Sequence, residues 1–172
     1  LPLKRGSLEL TKTVNSLEVL ENQAVFSLSN IPDRPGIAAQ IFEKLSEASI
    51  SVDLIIQATN DGNKNDITFT VSELEVKKTA EQCELITSQL GGEYNLKTNM
   101  TKLSIQGAGI MGRPSVSADL FDTLSQANIN VRLIATSEIK VSCVIEINNI
   151  PKAIRFVAEK FKLSDTQIFV NP

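Results

Sequence analysis

Between Gln23 and Ser29 polar and apolar side chains alternate, with Ala24, Phe26 and Leu28 on one side. That period of two predicts a strand with one buried face. From Ile37 the period changes. Ile37, Ile41, Phe42 and Leu45, with Ala38 and Ala48, recur three and four residues apart and predict an amphipathic helix. Alternation returns with Ile50, Val52 and Leu54, predicting a strand over Ile50–Gln57. A turn at "DGNK" around Gly62 then leads into a strand over Asp66–Val71. Val76, Ala80, Cys83 and Leu90 mark a second helix, closed by Gly91 and Gly92.

The same series recurs. Aligning Pro35 with Pro114 matches Ile37 to Val116, Ile41 to Leu120, Phe42 to Phe121, Leu45 to Leu124, Ile50 to Ile129 and Val52 to Val131, without a gap. This is an internal repeat. The second copy predicts a strand over Thr101–Gln106, a helix over Pro114–Ala127, strands over Ile129–Thr136 and Lys140–Ile147, and a helix over Pro151–Phe161. The fold class is α+β: two ferredoxin-like βαββαβ domains, each an antiparallel sheet with its helices on one face. The first domain is expected over residues 14–98 and the second over 99–163. Val14–Val19, Tyr94–Thr98 and Gln167–Val170 all compete for the last strand of each unit, and the C-terminal strand over 166–171 is a candidate to complete the first.

Composition narrows the chemistry. With 42% apolar and 22% charged residues the chain reads as globular. A net charge of -3 without a basic run gives no attraction to nucleic acid or an anionic membrane. No apolar stretch is long enough to cross a bilayer. Nor does "LPLKRGSLEL" have the pattern of a signal peptide, so a cytoplasmic protein is expected, and the leading Leu suggests a fragment of a longer one. Two distant cysteines, Cys83 and Cys143, offer no metal set and read as buried thiols. Histidine is absent, which removes Ser-His-Asp and Cys-His catalysis, and there is no GxxxxGK[ST] or GxGxxG loop for a nucleotide. No catalytic residue, metal or cofactor is expected.

The stretch "NIPDRPGIAAQIF" carries the remaining chemistry. A glycine just ahead of a helix lets a ligand approach the backbone, and the helix's first amides favour a carboxylate. Asp33 beside them has the charge for an ammonium, and Gln57 can add an amide contact. Together they suit a zwitterion such as an α-amino acid. The same residues also fit a plain tight turn closed by Asp33.

"NIPDRPGIAAQIF…ASISVDLIIQ…NDITFTV", followed by "LSIQGAGIMGRPSVSADLFDTLSQANINVRLIATSEIKVSCVI", resembles the paired ACT domains of aspartate kinases over nearly the whole chain. The first phrase is shared by many amino-acid sensors, whereas its combination with "GAGI…P" and "TSEIK-S" is far more specific and points to this family. The resemblance implies a regulatory region or regulatory subunit that binds an end-product amino acid, lysine or threonine, and mediates feedback inhibition. ATP and Mg would belong to a separate kinase domain or subunit, which would be the partner. It implies an effector loop of Asp33, Gly36, Ile37 and Ala38 with Gln57, faced by Asn130 and Val131 from a second ACT unit, commonly of the partner chain in a homodimer. A second pocket would use Gly112, Ser115 and Val116 with Ser51 and Val52. There Ser115 replaces the usual glycine, which hinders close approach. Ser137, Glu138 and Lys140 are expected to serve structure rather than catalysis. The alternative is a dimerisation module that binds no effector.

Overall fold

The computed structural model describes residues 13–172. Lys4 and Arg5, which read from the sequence as solvated surface charges, lie outside the described residues. The elements are β1 (Ser16–Pro32), α1 (Ile37–Glu47), β2 (Ile55–Asn60), β3 (Lys64–Ser72), α2 (Val76–Leu90), β4 (Glu93–Gln106), α3 (Pro114–Gln126), β5 (Leu133–Thr136), β6 (Lys140–Glu146), α4 (Ile150–Phe161) and β7 (Ile168–Asn171). They form two compact units. One, the first-copy unit, is Glu21–Thr101; the other, the second-copy unit, joins the described residues up to Leu20 with Lys102–Pro172.

In the first-copy unit the strands lie in the order β2-β3-β1-β4, using β1 from residue 21 and β4 up to residue 101. β3 runs antiparallel to both β1 and β2. Ala24, Phe26 and Leu28 from β1 meet Ile67, Phe69 and Val71 from β3, and Ile37, Ile41 and Leu45 of α1 close over them. Phe26 stacks on Phe69 at 5.7 Å, and Phe42 meets Phe69 edge-on at 6.0 Å. The helix stripe therefore buries the face its periodicity predicts.

Two local departures shape this unit. The predicted strand Ile50–Gln57 becomes regular only at Ile55, because the Thr70 hydroxyl accepts from the Leu54 amide at 3.0 Å where a ladder carbonyl would. Between Leu28 and Ile31 the register slips by one residue against β3, with Asn30 at φ 59. This bulge turns Ile31, rather than Asn30, into the core.

The second-copy unit has the order β7-β1-β4-β6-β5, using only the start of β1 and the end of β4. Leu17 to Leu20 pair in parallel with Ile168 to Asn171. Leu17 and Val19, both fully buried, join Leu103, Ile105, Leu120, Leu124 and Cys143. Thus residues 14–20 pack with the second copy and not, as expected, with the first, and the C-terminal strand follows them. The boundary falls at Leu20/Glu21 because the apolar side chains before it fill this core. Tyr94–Thr98, the remaining strand candidate, forms the start of β4 and completes the first copy.

The inserted segment also explains two glycines. A Cβ on Gly107 would overlap the Thr13 carbonyl, and one on Gly109 would sit 2.7 Å from Thr13 Cα. Neither residue has a left-handed backbone; both are required by proximity.

Candidate functional site

In the first-copy unit the bulge at Asn30 delivers the chain to Asp33, Arg34, Pro35 and Gly36, all exposed. Gly36 caps α1 at φ 91 and ψ -10, with no side-chain cap. That left-handed backbone suits glycine, and a Cβ there would meet nothing within 4 Å. The Ile37 amide turns back to the Arg34 carbonyl at 3.3 Å, and its side chain lies in the core. Ala38 and Ala39 follow in the first helical turn, where amides have no intrahelical acceptor. The loop therefore exposes backbone donors at the positive end of an 11-residue helix.

Asp33 is fixed twice. Its amide donates to the Asn63 carbonyl at 2.9 Å, and its Oδ1 accepts from Asn65 Nδ2 at 2.9 Å. Gln57 pairs with Ile67 in the β2–β3 ladder, and Thr59 with Asn65. Directly opposed residues share a face, so Gln57, Thr59 and Asn65 lie on the face that α1 covers. Gln57 and Thr59 are exposed there and Asn65 is buried. The structure thus groups Asp33, the α1 amides and the polar end of this sheet face in one unit. Asn65 was missed in the sequence. It occupies the apolar phase of the alternation Asn65, Ile67, Phe69, Val71, and that misplaced polar residue is the available signal.

Asn130 and Val131 belong to the second-copy unit, where they line a cleft with Phe121, Ser125, Asn128 and Ile129. Asn130 is exposed and Val131 half-buried. The second loop differs from the first. Gly112 retains a left-handed φ of 72, but the residue capping α3 is Arg113, at φ -121. Ser115 is exposed, while the Val116 side chain is in the core and its amide donates to the Arg113 carbonyl at 3.1 Å. Arg113 Nη1 reaches Thr13 Oγ1 at 3.2 Å. A cleft lies here too, between Gly112, Arg113, Pro114, Ser117 and Glu138. Ser51 and Val52, expected to face this loop, belong to the first-copy unit, where Val52 packs on the core.

The "TSEIK" turn is a brace. The Ser137 amide donates to the Lys140 carbonyl at 2.8 Å, and Lys140 Nζ bonds Glu18 Oε2 at 3.0 Å on the inserted strand. Such a half-exposed pair contributes little stability, but it marks where that strand docks. Cys83 and Cys143 are buried, and burial pushes both thiols up to about 12. Among the described residues no cluster of acids and cysteines could hold a metal, and no helix is long and apolar enough to cross a membrane.

Comparison with known proteins gives a consistent picture. The model of the ACT domain family matches residues 29–84 and 103–161. An aspartokinase of Thermus thermophilus is 34% identical over 163 residues, covering 94% of this chain and 40% of its own length. The chain therefore spans about two fifths of the curated relatives it matches. Among solved structures, the ligand-free regulatory subunit of aspartate kinase from Thermus thermophilus superposes with a TM-score of 0.81 at 34% identity, covering 87% of this chain and 99% of that one. Aspartate kinase from Synechocystis gives 0.87 at 35% identity, covering 91% of this chain and 28% of that one.

Proposed function

Since the chain belongs to the ACT-domain regulatory region of the aspartate kinases, matching a regulatory subunit over almost its full length, we propose that it binds an end-product amino acid, lysine or threonine, and transmits feedback inhibition to a kinase domain or subunit. The observation that carries this reading is the loop before α1, where the Asp33 carboxylate stands beside an uncapped helix start at an open Gly36.

An α-amino acid presents an ammonium and a carboxylate a few ångströms apart. Asp33 takes the ammonium, the amides following Gly36 take the carboxylate, and Gln57 adds a side contact. Charge-assisted bonds of this kind are worth about 1.5–3 kcal/mol each. In a homodimer, Asn130 and Val131 of the second copy would supply the opposite wall. Inhibition follows if one arrangement of the kinase permits the closed pocket and the other does not, a coupling of about 1–3 kcal/mol.

Titration calorimetry of the 172-residue chain with L-lysine and L-threonine tests the reading. Saturable heat with at least one of them is expected, with affinity about 10- to 100-fold lower in Asp33→Ala. A chain that sediments as a dimer yet gives no heat with either would instead be a dimerisation module.

A further inference from the structure

Asn65 is 3% exposed, at a position where Ile67, Phe69 and Val71 continue the same buried face. Its amide group cannot be reversed. The carboxylate of Asp33 only accepts, so the group at 2.9 Å from Asp33 Oδ1 must be the nitrogen. The orientation has a consequence: Asn65 Oδ1 is buried and has no hydrogen-bond partner among the described residues. An unmet buried acceptor is destabilising, and folds rarely retain one. An apolar side chain of similar volume would continue the alternation without that defect. Asp33 itself is exposed and would be solvated without help, so fold stability alone does not account for Asn65.

We propose that Asn65 is the positioning residue of an ammonium subsite: its amide nitrogen holds the Asp33 carboxylate in place beside the α1 N-terminus for the α-ammonium group of an amino acid. The inference rests on the effector reading above and adds to it the residue that makes Asp33 a preformed partner. A carboxylate on an exposed loop otherwise samples several rotamers, and immobilising it on binding lowers affinity. With one oxygen tethered, it is preorganised. Gln57 and Thr59, exposed on the same sheet face, form the rim past which the ligand enters.

The test is Asn65→Leu, which keeps the number and branching of the heavy atoms and removes both the tether and the unbonded oxygen. Its thermal midpoint is expected to equal or exceed that of the parent chain, while affinity for L-lysine or L-threonine, whichever binds, falls about 5- to 20-fold. A purely structural asparagine would lower the midpoint instead. Asn65→Ala serves if the leucine variant does not fold. Each change is repeated on an Asp33→Ala background, where it should alter affinity less than about twofold. An equal loss on both backgrounds would show that Asn65 does not act through Asp33, and overturn the proposal. If the parent chain binds and Asp33→Ala weakens it while both Asn65 variants bind normally, the positioning role falls and the effector site stands. If the parent chain binds neither amino acid, both fall.

Discussion

The loop before α1 meets open space at Gly36, whereas its counterpart before α3 is braced by the chain's own residue Thr13, which Arg113 bonds and against which Gly107 and Gly109 pack. The two loops stand at matching places in a gapless repeat, yet they differ both in residues and in surroundings. Repetition of sequence conserves the buried stripe, because both helices must cover a sheet. It does not conserve what happens at the helix start, where Arg113 ties one loop to Thr13 and Gly36 leaves the other without such a brace.

The largest expected effect tests the strand that creates this difference. Leu17→Ala removes a fully buried side chain from the second-copy core and should cost about 2–5 kcal/mol in urea unfolding. A loss below about 0.5 kcal/mol would mean the strand is peripheral and the contrast with it. Next comes the loop chemistry. Asp33→Ala should weaken amino-acid binding by about 10- to 100-fold in calorimetry, and Ser115→Ala by less than about twofold. Equal losses would erase the distinction between the loops.

Glycine substitutions probe the same contrast through stability. Gly107→Ala sets a methyl group against the Thr13 backbone and should cost about 1–3 kcal/mol. Gly36→Ala meets no neighbour and should cost about 1 kcal/mol, from its left-handed φ of 91 alone. Comparable thermal shifts would contradict the crowding at Gly107.

The smallest effect should be common to both units. Cys83 and Cys143 are held protonated up to about 12, from an ordinary 9.0, by burial. Unfolded thiols ionise first, so above about pH 9 the folded chain binds more protons and stability declines toward the folded value. Near pH 9.5 the loss should be about 1 kcal/mol or less per thiol, measured by urea titration. Neither thiol should react with a disulfide reagent at pH 8 until the chain unfolds.

Most of this architecture was legible because it depends on periodicity. The α1 stripe, the alternation in β3 and the 79-residue echo of Pro35 at Pro114 are one-dimensional signals. The inserted strand was not, since Val14, Leu17 and Val19 show that something is buried without showing in which unit. Pairing of Leu17 with Ile168 is non-local and leaves no local mark. At the site, Asp33 and Gly36 announced themselves by residue type. Asn65 showed only as a polar residue in an apolar phase, because its contact with Asp33 lies 32 residues away in sequence and leaves no local mark.

That the second-copy unit is discontinuous also orders events in time. Residues 21–101 lie wholly inside the chain segment that must close before Leu17 can meet Ile168. A nascent chain emerging from the ribosome can therefore complete the first-copy unit while the other still waits for its final strand. Bringing β7 back to residues 17–20 is a high-contact-order step, slow by loop-closure entropy, though it becomes shorter once the intervening residues have condensed. Until residues 103–157 condense, Leu17 and Val19 have no core to enter. In refolding from denaturant, the burial of this strand should be the late phase, and the loop before α1 should already be formed when it occurs.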